Sequence, residues 1–369
     1  MFGLTDSQQN FLRLTVVTVL FLVTACILVM NNHVIRARER KTLVWCFIAL
    51  VFITVADWFN VTFSGTHPEL HTVHTLLTAI MFAVVPFIPV AIAQAIYPDK
   101  SAKWVMVVLM VQAVAEIANI FGGFIFWVDD ANDYYRGPLY FVYVAAYALS
   151  NVFLVVQSIR AARTYQASGS WSVIAIVVCL AAGIAIQLAY SNIHVTWAAV
   201  SMAVVLFVLY YYDIALQTDA LTMLLNRHSY EKFLVRPPLP CLVVSVDVND
   251  FKLVNDTYGH AYGDECLRAI ARALRHTYAS VGKCYRAGGD EFVVVVTKRL
   301  DSAEELARRM QDAIAAAQAH DGRIPSVSIG SALAAEGCTD IAAVIDEADK
   351  AMYADKRVGK SDAMSMPAE

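Results

Sequence analysis

Residues 286–292 read Arg-Ala-Gly-Gly-Asp-Glu-Phe, and the paired carboxylates Asp290 and Glu291 are the groups in this chain best placed to do chemistry. Strand-like runs flank them, Lys283–Arg286 before and Phe292–Thr297 after. This spacing predicts a β-hairpin whose glycines, Gly288 and Gly289, take positive φ angles. Glycine at such a tip also lets a bulky ligand approach the backbone closely. Neighbouring carboxylates repel one another unless a cation neutralises them, and hard oxygen donors suit Mg²⁺. The local pattern therefore predicts a Mg²⁺-nucleotide site, with a solvated acidic turn as the alternative.

The elements that must position this hairpin are visible on either side of it. Cys241–Asp247 is a short β-branched strand that ends in a carboxylate. It leads into Val248, Asn249, Asp250, Phe251, Lys252, Asn255, Asp256, Gly259, His260, Gly263 and Asp264. A strand ending in Asp, then a loop and a helix start, offers backbone N–H groups to phosphates. Further strands are expected at Lys283–Arg286, Phe292–Thr297 and Val327–Ala332, and helices at Asp264–Tyr278, Ala303–Ala319 and Ile341–Tyr353. Alternation of this kind predicts an α/β domain.

Residues from about 213 to 361 resemble the GGDEF domain of diguanylate cyclases. The resemblance is carried by a lead-in motif (Asp219, Leu221, Thr222, Asn226, Arg227), the strand-and-loop run above and the hairpin. It continues in Ser326–Gly330 and in Ala348–Lys360, so five motifs stand in family order. The fold it implies is a mixed sheet flanked by helices, as in nucleotidyl cyclases and polymerase palms. The activity it implies is condensation of two GTP into cyclic di-GMP with release of two pyrophosphates. It assigns Asp247, the Val248 carbonyl, Asp290 and Glu291 to two Mg²⁺ (or Mn²⁺) ions per site, with Asp290 and Glu291 as the catalytic pair. Asn255 and Asp264 match the guanine readers. Lys252, Lys356 and Lys360 match the residues that hold the β- and γ-phosphates, and Phe251, Gly288 and Gly289 line the substrate. A carboxylate accepts from guanine N1–H and N2–H₂, a donor pair that adenine lacks, so Asp264 favours GTP over ATP. Because the product joins two nucleotides by equivalent bonds, two GGDEF domains are expected to meet as a homodimer.

Three departures from the family pattern stand out. Ala279 and Gly282 occupy the positions of the family's inhibitory Arg-x-x-Asp motif. Met223 replaces the usual Gly of the lead-in motif, and Asp250 is unusual before Phe251. None removes a catalytic group.

The first half of the chain is of another kind. The 369 residues are 58% hydrophobic with a mean hydropathy of +0.54, which is too apolar for an average soluble protein. Seven apolar stretches are expected to span a bilayer: Phe11–Met30, Leu43–Phe63, Thr75–Ile96, Trp104–Val128, Leu139–Ile159, Trp171–Tyr190 and Val195–Tyr212. Arg36, Arg38, Arg40, Lys41, Lys100, Lys103, Arg160 and Arg163 fall in alternate loops. By the positive-inside rule this places the N-terminus outside and the C-terminal domain in the cytoplasm, as for a multi-pass protein of the cell inner membrane. A basic loop rather than a small-residue cleavage site follows Phe11–Met30, so a cleaved signal peptide is not expected. Asp57 and Glu116 are ionisable groups inside apolar segments and become candidate sensor residues, with interhelical hydrogen bonding as the alternative. His71 and His74 share a helix face that suits a metal only weakly, and Pro86 and Pro89 are expected to kink the third span.

The expected division is a seven-helix sensor region at 1–212, a helical linker at 213–220, a GGDEF domain at 221–361 and a disordered tail at 362–369. No Pro or Gly interrupts Val195–Gln217, so one helix is expected to lead out of the membrane region. The seven cysteines form no CxxC pair and predict free thiols. A net charge of −4 gives no reason to expect a nucleic-acid partner. The expected partners are GTP, a second copy of the chain, the lipid bilayer and downstream cyclic di-GMP receptors. The competing function is a catalytically silent module that binds GTP or cyclic di-GMP and signals through a partner. A transporter-like reading has little to support it, since the spans show no inverted repeat.

Overall fold

The computed structural model describes residues 5–32, 35–165, 170–189 and 195–365. By its internal contacts the chain divides into two compact units, Met1–Ala162 with Gly169–Asp213, and Arg163–Ser168 with Ile214–Glu369.

The first unit is helical: α1 (Asp6–Met30), α2 (Ala37–Phe63), α3 (His71–Val84), α4 (Phe87–Ile96), α5 (Ala102–Gly122), α6 (Tyr140–Tyr165), α7 (Ser170–Ala189) and α8 (Thr196–Gln217). A small antiparallel hairpin, β1 (Phe126–Val128) and β2 (Tyr134–Arg136), joins α5 to α6. Among the described residues six stretches are long and apolar enough to cross a membrane: α1, α2, Pro68–Ala95, α5, α6 and α8. The sixth of the seven expected spans is shorter in its described apolar part, Ile174–Gly183, because parts of Trp171–Tyr190 lie outside the described residues. Among the described residues, then, six of the seven expected spans are matched by helices long and apolar enough to cross a membrane.

The packing of α5 is inverted relative to a helix of a soluble domain. Trp104, Val111, Val114 and Phe121 are 78%, 66%, 67% and 91% exposed, whereas Gln112, Glu116 and Asn119 are buried. An apolar exterior around a polar seam is how a helix meets lipid. Pro86 separates α3 from α4, as its missing N–H and fixed ring require. Some polar groups of the neighbouring spans are paired across helices. Asn60 donates to Thr78 Oγ1 at 3.0 Å, and Trp197 donates to Asp57. His74 pairs with Asn132 at 3.0 Å, and no metal-holding group of His, Cys, Asp or Glu occurs among the described residues.

The second unit contains α9 (Arg227–Val235), β3 (Cys241–Val248), α10 (Phe251–Tyr258), α11 (His260–Tyr278), β4 (Gly282–Arg286), β5 (Glu291–Val296), α12 (Ala303–His320), β6 (Val327–Ala334) and α13 (Ile341–Ser365). The strand order is β4-β5-β3-β6, and every adjacent pair is antiparallel. This corrects the expected mixed sheet. Strands that run the same way, β3 with β4 and β5 with β6, are each separated by an interleaved strand, which is a split βαβ arrangement. Parallel pairing is confined to the isolated Leu225–Tyr285 bridge. Alternate residues of the central strands feed two cores. Val244, Val246, Phe292 and Val294 pack with α11 and α12, whereas Val243, Val293 and Val295 pack with α9 and α13. The last helix runs on to Ser365, past the expected domain end at residue 361, and residues 366–369 of the expected tail lie outside the described residues.

The lead-in motif closes the C-terminal end of α8 within this unit. Asn226 accepts from Ser229 N–H and donates to the Leu216 carbonyl at 2.8 Å, and the Ser229 hydroxyl donates to the Gln217 carbonyl at 2.9 Å. These are the orphan carbonyls that a helix end leaves behind. Met223 follows at φ 59°, the left-handed region in which glycine is relaxed, so the glycine common in the family has a backbone reason. Asp250 also has positive φ, 51°, and Asp tolerates this conformation better than bulky residues do.

Candidate active site

The hairpin forms where expected. Arg286 opposes Phe292, and Ala287 and Gly288 both donate to the Glu291 carbonyl, at 3.0 and 3.3 Å. Its glycines behave differently from the expectation: neither Gly288 nor Gly289 has positive φ. A Cβ at 288 would lie 2.6 Å from Glu291 Oε2, so a side chain there would displace the Glu291 carboxylate. A Cβ at 289 would meet nothing within 4 Å, so the bare backbone there is open to a ligand.

The sheet brings the carboxylates to one edge. Asp247 and Glu291 are paired residues of β3 and β5, and Val248 N–H donates to the Asp290 carbonyl at 3.3 Å. Asp247 is partly buried, and the Lys356 ammonium of α13 donates to its carboxylate. Asp247, Val248, Asp290 and Glu291 offer oxygen donors of the kind that Mg²⁺ takes. Their side chains do not converge into a closed three-ligand group among the described residues.

The loop after β3 is fixed by Asn249. Its N–H donates to the Ser326 carbonyl at 2.9 Å, and its side chain exchanges hydrogen bonds with the hydroxyls of Ser326 and Ser328. Helix α10 then starts without a side-chain cap, which leaves its N-terminal end suited to an anion. Phe251 and Asn255 both approach Gly263, the residue before Asp264. A Cβ at Gly263 would lie 2.0 Å from Asn255 Oδ1 and 3.3 Å from Phe251 Cζ. The carboxamide therefore sits against the turn of α11 that bears the half-exposed Asp264, which lies 4.0 Å from Arg268. Lys252 is exposed on α10, and the Lys360 side chain lies outside the described residues.

Four positioning residues were not assigned from the sequence. Arg286 donates to the Gly289 carbonyl through Nε at 3.1 Å and Nη2 at 2.7 Å, and to Asp219 at 3.0 Å. Burial raises the Asp219 pKa, but hydrogen bonds from Thr222 and Arg286 outweigh it and hold the carboxyl below its usual range. Asp355 accepts from Ile329 N–H at 3.0 Å and so pins α13 to β6 one residue before Lys356. Gly263 and Gly330 act by having no side chain. The signal for the two charged residues was their place inside motifs, but their roles need the tertiary contact. Gly282 explains one family departure: a Cβ there would lie 2.3 Å from the Val295 carbonyl, so this backbone has no room for the Asp of the inhibitory motif.

Arg286→Lys is expected to keep the charge for Asp219 and lose the forked grip on Gly289. A loss of about 1.4 kcal/mol of positioning corresponds to roughly tenfold slower turnover. Steady-state rates beside thermal unfolding check this, and an unchanged rate would remove Arg286 from the positioning of the tip.

Residues 216–362 match the family profile described as "Diguanylate cyclase, GGDEF domain", and this part of the chain is a GGDEF domain. Diguanylate cyclase DosC of Escherichia coli (strain K12) is 36% identical over 156 residues, which cover 39% of this chain and 34% of that protein. Diguanylate cyclase DgcS of Shewanella oneidensis is 32% identical over 160 residues, covering 41% and 54%. A solved GGDEF domain of PA1120 from Pseudomonas aeruginosa has 34% identity, covers 37% of this chain and 92% of that one, and superposes with a TM-score of 0.33. The chain spans about a third to a half of the length of these curated relatives.

Proposed function

We propose that this protein is a membrane-bound diguanylate cyclase that condenses two GTP into cyclic di-GMP and two pyrophosphates, with output controlled by its apolar region. The observation that supports the reading is the carboxylate edge, with Asp247 and Glu291 in register and Asp290 next in sequence; the proposed base readers Asn255 and Asp264 lie on α10 and α11. The silent-module alternative has no missing group in its favour.

Asp247, the Val248 carbonyl, Asp290 and Glu291 would hold divalent cations, two per site on this reading. When bound, such ions neutralise phosphate charge and favour ionisation of the attacking ribose hydroxyl. The chain's own residues do the rest. Phe251, Asn255 and Asp264 hold the guanine. The uncapped start of α10 and Lys252 face the phosphates, joined by Lys356 and Lys360. Lys356 also neutralises Asp247 and so keeps the carboxylate edge from repelling the triphosphate. Asp290 is placed to orient the 3′-hydroxyl for in-line attack on the α-phosphate of the other nucleotide. Each domain supplies one such half, so the active species is a homodimer. The apolar region is read as a seven-span bundle of the inner membrane with the catalytic domain in the cytoplasm, and Asp57 and Glu116 as its sensing groups. Cyclic di-GMP receptors act downstream.

The direct test is GTP turnover by purified full-length protein with Mg²⁺ or Mn²⁺ and identification of the product. Absence of cyclic di-GMP from dimeric, folded protein would leave the silent module. Base choice gives a second check. Asp264→Asn replaces an acceptor pair with one acceptor and one donor, and loss of a charged hydrogen bond worth about 1.5–3 kcal/mol predicts roughly 10- to 100-fold weaker discrimination against ATP. Competition of ATP with GTP measures it, and unchanged selectivity would show that Asp264 does not read the base.

A further inference from the structure

Arg38, Lys100 and Lys103 line a cavity of about 730 Å³ in the helical unit, between the starts of α2 and α5 and along α4. That volume falls in the range of about 300–1,000 Å³ usual for small-ligand sites. The three cationic side chains have neither a carboxylate nor a hydrogen-bond partner among the described residues. Neighbouring basic groups are already committed. Arg40 donates to the Asn32 carbonyl at 3.0 Å, and Arg160 donates to Asp99 at 2.8 Å.

Two carboxylates also reach the cavity wall, and each has a cation from outside it. Asp99 accepts from Ser101, Gln157 and Arg160, and Arg36 lies 3.8 Å from Glu39. Neither Arg36 nor Arg160 belongs to the wall. Among the described residues, then, the wall holds three positive charges with no counter-charge left for them.

The cavity is also divided along its length. Its wall follows α4 from Phe87 to Ala95, roughly 12 Å at the rise of an α-helix. Arg38 opens α2, and Lys100 and Lys103 flank the start of α5, where the chain has just left α4. Phe87 stands at the far end of α4, and with Ala91 and Met106 it gives the remaining wall an apolar surface. Met106 is 40% exposed and leads onto the outer face of α5, where Val107 and Met110 are exposed.

We propose that this cavity seats an anionic phospholipid of the phosphatidylglycerol class, with its phosphate on Arg38, Lys100 and Lys103 and its first acyl carbons along Phe87 and Met106. Clustered Lys and Arg beside membrane helices attract anionic headgroups. A zwitterionic lipid would bring its own ammonium to three unneutralised cations, and a free phosphate would leave the apolar wall uncovered. The inference rests on the membrane reading of the apolar unit and gives that unit a specific lipid partner.

The test titrates the purified full chain in a neutral detergent with dioleoylphosphatidylglycerol and counts bound lipid by native mass spectrometry. Dioleoylphosphatidylcholine and inorganic phosphate serve as the zwitterionic and free-anion probes. One phosphatidylglycerol per chain, held at least tenfold more tightly than phosphatidylcholine and not displaced by millimolar phosphate, is expected. Lys103→Gln and Lys100→Gln should each weaken it about fivefold, the effect of one cation at a lipid surface. Lys41→Gln removes the same charge from an exposed position of α2 outside the wall and should leave binding unchanged. Both lysines are exposed, so the variants should fold, and thermal unfolding of each preparation checks this. Equal retention of the two lipids, an equal loss in Lys41→Gln, or full binding by folded Lys100→Gln and Lys103→Gln would overturn the site. Displacement by inorganic phosphate would overturn the lipid as its occupant. Recovery of the expressed chain in the membrane fraction tests the membrane reading separately, so a chain that enters membranes without lipid preference fails the site alone.

Discussion

Asp290→Asn and Glu291→Gln, each made in the full chain, are expected to slow cyclic di-GMP formation by about a thousandfold while the protein stays folded. Each exchange keeps the shape of the side chain and deletes one negative charge from the edge that, on the proposed reading, holds the cations that neutralise phosphate. Charge stabilisation of this kind is worth several kcal/mol, and about 4 kcal/mol is a factor of roughly 10³ in rate. The folded state has little to lose. Glu291 is exposed, and the hairpin is held by backbone bonds from Ala287 and Gly288 to the Glu291 carbonyl and by Arg286 on Gly289. Substitutions at such positions usually stay within about 0.5 kcal/mol of the parent stability. Turnover and thermal unfolding on the same preparations check both halves. Full activity in folded Asp290→Asn would sink the assignment of this carboxylate.

Gly330→Val is expected to act in the opposite way, through the fold. A Cβ at 330 would lie 2.1 Å from Met352 N and 2.2 Å from the Ala348 carbonyl. Both are backbone atoms of α13 and cannot turn aside as a side chain would. The helix must lift from β6, which strains the Asp355–Ile329 bond and draws Lys356 off Asp247. Overpacking of a close contact costs about 1–3 kcal/mol and at times more, and the upper end applies where backbone meets backbone. A loss of about 3 kcal/mol should appear as a lowered unfolding midpoint and as faster proteolysis of the C-terminal unit. An unchanged midpoint would mean that α13 has room to shift.

Much of the site was legible because its motifs are local. Asp290 and Glu291 follow two glycines between strand-like runs, and Asp247 ends a β-branched strand, so the hairpin and the carboxylate edge could be placed from one-dimensional pattern. The reason for the glycines could not. Gly288 lies close to the Glu291 side chain and supplies no positive φ, and only coordinates show that Gly263 lets side chains past and that Gly282 and Gly330 let backbone past. Strand adjacency was equally hidden. Periodicity gives the strands but not that β3 slots between β5 and β6, and the mixed sheet implied by the resemblance gave way to an antiparallel one. In the helical unit, Glu116 stood out as a charge in an apolar run. The aromatic cluster of that unit did not, since Phe82, Phe126, Tyr134 and Tyr140 arrive from separate elements.

The interleaved strand order bears on how the domain comes into being. The β4–β5 hairpin is local and closes a short loop, but it carries only Glu291 and its neighbours. Asp247 reaches Glu291 only after the whole α10–α11 segment has been looped out, and β3 gains its other neighbour only after α12 has been made. Long loops close slowly because their entropy is lost before the distant contacts form. During synthesis, then, a growing chain has no early stage in which the carboxylates face one another. The charge pair exists only once β3 is seated, so catalytic competence and completion of the sheet arrive together.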